Sequence, residues 1–157
     1  MSDVQQSEPI LLTTSAEATW EKGMRTQIAV RQFDNITMDE PEALGGTDGG
    51  PNPMEFVIAA LDGCVAVMIN LIAGEMGFHF SDLLLKGKGV LDLRGLMGVP
   101  GVTRHFQSVI LDVTLKTSES AERLGELQHK VHNRCPAINL LKDAGVPLHA
   151  NWVAVPE

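Results

Sequence analysis

Two periods of hydrophobic residues divide the chain. From Ala16 to Glu40 the apolar positions recur every second residue. Ala16, Ala18 and Trp20 alternate with Glu17, Thr19 and Glu21; beyond Lys22-Gly23, Ile28 and Val30 alternate with Gln27 and Arg31. A shorter run follows Asn35 through Ile36 and Met38. Side chains of a strand point alternately to its two faces, so this period predicts three short antiparallel strands. By the same parity Arg25 and Arg31 would project from one face of one strand. The ten residues 44–53 then hold four Gly and two Pro, which no regular element tolerates. They lead into a helix start with Asn52 at the N-cap, Pro53 at N1 and Glu55 at N3, and Gly77 marks the stop. At ~1.5 Å per residue this helix would be roughly 36 Å long. Val57, Leu61, Cys64, Val65, Met68, Leu71 and Ile72 form one stripe. Phe56, Ile58, Ala60, Val67 and Ile69 make most of the remainder apolar too, so the helix is expected to be buried on most sides.

Beyond it, Leu83 to Leu93 and Phe106 to Lys116 return to the strand period. In the second run Val109, Leu111, Val113 and Leu115 face inward, and Ser108, Asp112, Thr114 and Lys116 outward. The connection, Gly95 to Arg104, carries Leu96, Met97, Val99 and Val102 on a glycine-rich loop, a pattern that suggests contact with a ligand, a second subunit or the core. Ser120 caps a further helix with Ala121, Leu124, Leu127 and Val131 as its stripe. Pro136 restarts a short helix that ends at Gly145, and Leu148 to Val155 forms a last strand. The order β-β-β-α-β-β-α-α-β reads as α+β, with a flexible terminus over residues 1–15 and a single domain over residues 16–157.

Composition narrows the functions open to such a domain. A chain of 157 residues, 44% hydrophobic, buries its own core without staples. A net charge of −8 opposes binding to a phosphate backbone, and five Phe, two Trp and no Tyr are too few for a base-stacking platform. Two cysteines do not make a disulfide scaffold. Residues 1–15 carry Asp3 and Glu8 and lack a basic start before an apolar run, so a cytoplasmic protein is expected. Asp62 and Asn70 interrupt the apolar stretch from Phe56 to Gly74, favouring a core helix over a membrane span.

The cysteines are the main carriers of chemistry. Cys64 lies mid-helix on an apolar stripe, where a free thiol packs as a small hydrophobe unless a cation lowers its pKa. Cys135 falls at the N-cap of the helix that starts with Pro136; there unsatisfied N–H groups and the dipole favour a thiolate, and simple packing beneath the junction is the alternative. His129, His132 and Cys135 share a spacing of three, but their polar neighbours mark a solvated face, and no metal is expected. Glu55 either completes the helix cap or orients a cation near a thiol. No Gly-x-x-x-x-Gly-Lys or Gly-x-Ser-x-Gly pattern occurs, so neither a P-loop nor a serine hydrolase is supported.

Taken in order, Asp39-Glu40-Pro41, Gly45-Gly46, Gly49-Gly50-Pro51-Asn52-Pro53, Ala59-Ala60-Leu61 before Cys64, Asp92-Leu93-Arg94-Gly95 and Cys135-Pro136 resemble the OsmC/Ohr family of osmotically inducible and organic hydroperoxide resistance proteins. The resemblance spans residues 16–155 and is nearer the OsmC-like branch than Ohr proper. It implies an intertwined homodimer with the long helix at its centre and two sites at the subunit interface. It also implies a peroxidase acting on organic hydroperoxides, with Cys64 as the peroxidatic and Cys135 as the resolving cysteine. An Arg–Glu pair would hold the thiolate: Arg25, with Arg31 as the same-face alternative, and Glu55, which stands one position later than the family's Glu because Met54 directly follows Asn52-Pro53. An apolar pocket would draw on Leu96, Met97 and Val99. No cofactor is implied beyond an external dithiol, often a protein-bound lipoyl group. The other reading is a non-catalytic protein of the same fold that binds an apolar small molecule or senses redox state.

Overall fold

The computed structural model describes residues 8–157. Of the terminus expected to be flexible, residues 1–7 lie outside the described residues; residues 8–16 form no helix or strand. The chain gathers into two compact units, one ending at Pro53 and the other beginning at Met54.

The first unit is an antiparallel sheet in the order β1 (Glu17–Lys22), β2 (Arg25–Ala29), β3 (Ile36–Met38). Its first turn is the predicted one, with Gly23 at φ +55°. β1 is exposed along its whole length, Trp20 included. Arg31 does not lie in β2 as its parity with Arg25 predicts. β2 stops at Ala29, the Phe33 amide donates to the Val30 carbonyl at 3.2 Å, and Arg31 turns to φ +51°. Its guanidinium stacks over the Phe33 ring at 4.7 Å, so Arg31 shares no strand face with Arg25. A single 3-10 turn, Glu42–Leu44, opens the glycine-rich loop. Asp39 organises that loop: its buried carboxylate accepts from the Thr47 hydroxyl at 2.6 Å, the Thr47 and Gly49 amides at 3.1 Å each, and the Glu40 amide at 2.9 Å.

The second unit holds the core. Helix α1 (Pro53–Met76) has the predicted bounds. It is followed by β4 (Asp82–Val90), the one-turn helix α2 (Leu93–Leu96), β5 (Ser108–Lys116), α3 (Ala121–Arg134), α4 (Pro136–Asp143) and β6 (Leu148–Val155). β5 is the central strand, antiparallel to β4 and parallel to β6. A parallel pair needs a long crossover, and α3 with α4 supplies it. The predicted alternation in β5 is found: Val109, Leu111, Val113 and Leu115 are buried. They meet Leu61, Val65, Ile69 and Ile72 of α1 and Leu124, Leu127 and Val131 of α3 in one cluster. Burying each such side chain contributes about 1.5–3 kcal/mol.

Within a single chain, α1 is buried on one side only. Its buried line runs through Leu61, Val65, Ile69, Ile72 and Ala73, while Val57, Val67 and Leu71 are exposed by 43%, 66% and 50%. The sequence stripe is thus rotated, with Ile69 inside and Val57 and Leu71 outside. A helix apolar all round offers no polar face from which to read its phase.

Candidate active site

α3 cannot run on into α4 as one helix. The residue before a proline is pushed out of the helical region, and Cys135 accordingly sits at φ −71°, ψ 117° ahead of Pro136. Pro136 has no N–H to place, which suits the first helical position. Cys135 is therefore both the C-cap of α3 and the N-cap of α4. Its amide donates to the Val131 carbonyl at 2.9 Å, and its side chain is fully buried.

Cys64 lies at the edge of the buried line of α1, half-buried and packed against the same core cluster. Both thiols are free, and Cys135 Sγ donates to Cys64 Sγ at 3.4 Å. Two cysteines 71 positions apart in sequence are thus in sulfur–sulfur contact. Burial pushes the Cys135 thiol up; the Ile138 amide of α4 pulls it down, and the neighbouring Cys64 raises it further. Of the two readings of Cys135, its full burial favours packing beneath the helix junction. Its net shift is upward, because desolvation outweighs the N–H groups.

The remaining predicted site residues lie as follows. Arg25 is in β2, ion-paired to Glu21 at 2.8 Å. A Cβ added at Gly49 would sit 3.1 Å from its Nη1 and 3.2 Å from Asp39 Oδ2, so Arg25 borders the Asp39 loop. Glu55 occupies the first turn of α1. Leu96 and Met97 are exposed by 75% and 73%, and Val99 by 40%, at and beyond the end of α2. Asp92 caps α2 and holds Arg94, whose Nε lies 3.0 Å from Oδ1; this pairing takes the Asp92 carboxyl down to about 2. The spaced trio His129, His132 and Cys135 does not act as a set. His129 Nε2 pairs with Asn133 at 2.9 Å, and His132 stands beside Trp152 with ring centroids 6.1 Å apart. Burial, then the neighbouring His129, lowers the His132 pKa.

Some contributors escape the periodic reading. Gly87 and Gly89 on β4 let α1 approach the sheet. A Cβ at Gly87 would lie 2.6 Å from both Asp62 Oδ1 and Ile58 Cγ2, and one at Gly89 would lie 2.3 Å from the Phe106 ring. Asp62 accepts from the Gly87 amide at 3.0 Å, which fixes α1 two residues before Cys64; burial raises its pKa. Glycines at alternate positions of a strand were the available signal. The bidentate pair from Arg134 to Glu75, at 2.5 and 2.9 Å, ties the end of α3 to α1.

The family model for OsmC-like protein matches residues 46–150. An OsmC-like protein from Mycoplasma pneumoniae superposes with a TM-score of 0.80 at 22% identity, covering 93% of this chain and 99% of that one. An organic hydroperoxide resistance protein OsmC from Legionella pneumophila gives 0.73 at 21%, covering 94% and 100%. The organic hydroperoxide resistance protein OhrB of Bacillus subtilis gives 0.65 at 20%, covering 88% and 98%. Likeness at these identities establishes the fold. No curated protein sequence matches the chain.

Proposed function

The chain belongs to the OsmC-like protein family, and on that footing we propose that it is a thiol-dependent peroxidase reducing organic hydroperoxides, with Cys64 as nucleophile and Cys135 as resolving thiol. The observation that carries the reading is the 3.4 Å contact between the two sulfurs. The Cys64 thiolate attacks the distal hydroperoxide oxygen; the O–O bond breaks, and the departing alkoxide takes a proton and leaves as the alcohol. Cys64 is now a sulfenic acid. Cys135 attacks its sulfur, the S–O bond breaks, and the hydroxyl leaves as water with the Cys135 proton. An external dithiol such as a lipoyl group then reduces the disulfide by exchange. Burial, which pushes the Cys135 thiol up, disfavours it as a competing nucleophile for peroxide; in the second step its proton is lost as it attacks and leaves with the hydroxyl as water.

Arg25 is assigned to hold the thiolate and peroxide, Glu55 to orient Arg25, and Leu96, Met97 and Val99 to receive the organic group; these roles rest on the family resemblance. A homodimer gives the exposed apolar face of α1 a partner, since Val57, Val67 and Leu71 would be covered by a second copy.

The test is hydroperoxide consumption with dihydrolipoamide as reductant. Turnover is expected to be faster with cumene hydroperoxide than with hydrogen peroxide, and to vanish in Cys64→Ser. Cys135→Ser should form one equivalent of sulfenic acid and stop. Consumption unaffected by Cys64→Ser would refute the assignment. An inert wild-type protein would leave a binding protein of the same fold.

A further inference from the structure

The one-residue break between α3 and α4 leaves the last carbonyls of α3 without helical partners. Pro136 has no N–H, and the chain turns away into α4. One side chain answers this deficit. The Asn139 amide nitrogen Nδ2 lies 2.9 Å from the Cys135 carbonyl, 3.3 Å from that of Asn133 and 3.5 Å from that of His132. Three carbonyl oxygens accept only from a donor, so the nitrogen of the amide must face them. The Asn139 backbone amide also donates to the Cys135 carbonyl, at 3.0 Å. A single residue in the first turn of α4 thus bridges back across the hinge to the last turn of α3. The hinge it closes consists of Cys135 alone, and Cys135 carries the sulfur that contacts Cys64.

We infer that Asn139 is a positioning residue for disulfide formation: it clamps the α3–α4 hinge so that Cys135 is held against Cys64. This rests on the peroxidase reading for its place in a cycle, although the clamp itself concerns any formation of the Cys64–Cys135 bond. In that step Cys135 sulfur bonds to Cys64 sulfur, the sulfenic S–O bond breaks, and the oxygen departs as water with the thiol proton. Asn139 exchanges no atoms or electrons. It raises the effective concentration of one sulfur at the other.

The test compares wild type, Asn139→Leu, which keeps the branched shape and removes the donors, and Asn139→Gln, which keeps a donor amide. Equilibration with reduced and oxidised glutathione gives the effective concentration of the Cys64–Cys135 pair without any peroxide. Asn139→Leu should lower it by about tenfold, the equivalent of about 1.4 kcal/mol or roughly one hydrogen bond, with Asn139→Gln between the two. After one equivalent of cumene hydroperoxide, a sulfenic-acid trap should label more Cys64 in Asn139→Leu than in wild type, while the rate of first thiol loss is unchanged. Equal effective concentrations and equal trapping in a folded Asn139→Leu protein would overturn the inference. If Asn139→Leu does not fold, the isosteric Asn139→Asp decides on the same readouts, since a carboxylate cannot donate to the three carbonyls. A wild-type protein inert to hydroperoxide would refute the peroxidase reading, and the glutathione equilibrium would still decide the clamp.

Discussion

Closing the Cys64–Cys135 bond should stabilise the fold by an amount that follows from the positions of the two residues. The cross-link would join residues 71 apart in sequence. Chain-entropy arguments give a loop of that length about 4 kcal/mol of stabilisation through restriction of the unfolded ensemble. Against this stands the movement required. The sulfurs are 3.4 Å apart and must approach to about 2.05 Å. The approach of about 1.4 Å is shared between a residue fixed mid-helix in α1 and one at a helix junction, and its strain subtracts from the gain. The expected net gain is therefore about 2–4 kcal/mol. For a chain of this size that corresponds to roughly 5–15 °C in Tm. Diamide-oxidised and fully reduced protein would be unfolded in urea at one fixed protein concentration, because association also shifts apparent stability. Intact mass would confirm a single intramolecular disulfide, and Cys64→Ser treated identically would show no change. A disulfide-bonded protein no more stable than the reduced form would be the contrary result, since the native arrangement would then not be the one that the bond favours.

Gly89→Ala should destabilise by about 1–3 kcal/mol, the usual cost of overpacking, because the new Cβ would lie 2.3 Å from the buried Phe106 ring; a urea midpoint at or above wild type would contradict the close packing of Phe106 against β4. The Thr47 hydroxyl and the surrounding amides take the Asp39 carboxyl from 3.8 down to about 2. A carboxylate lowered on folding contributes stability that is present above its unfolded pKa and lost as pH falls through its folded one, so the loop should loosen between about pH 4 and pH 2; an Asp39 titration followed by NMR with a midpoint near 4 would be the opposing result. Burial holds His132 below its ordinary 6.5. The unfolded chain then binds the proton more readily, so stability should fall as pH drops below about 6.5, and His132→Phe should flatten that part of the profile; an unchanged profile would show that His132 is not the group responsible.

How far the sequence carries the reader differs between elements for physical reasons. The bounds of α1, α3 and α4 are legible because their signals are local: Asn52-Pro53 and Gly77, Ser120, then Pro136 and Gly145, the last at φ +72° in the left-handed region. β5 is legible because its central strand is buried on one face and alternates cleanly. The phase of α1 is not, since its residues are apolar on every side. Arg31 is misplaced because parity holds only while the backbone stays extended, and a turn after Ala29 ends that. The contact between Cys64 and Cys135 spans 71 positions and depends on how α1, α3 and α4 meet around one core, which no local pattern records. The state of Cys135 depends on the same packing: the helix terminus is visible in Cys-Pro, whereas the burial that outweighs it is visible only in the fold. Asn139 looks like an ordinary polar helix residue until the hinge it faces is known.

On the proposed cycle, hydroperoxide drives Cys64 and Cys135 into one disulfide. The most direct measurement is thiol titration with intact mass on reduced protein after one equivalent of cumene hydroperoxide, beside hydrogen peroxide and Cys64→Ser. Rapid loss of both thiols and a mass lower by about 2 Da per chain are expected, faster with the organic peroxide and absent in Cys64→Ser. Thiols that persist over many minutes, or oxygen adducts that accumulate without a disulfide, would contradict the proposed cycle.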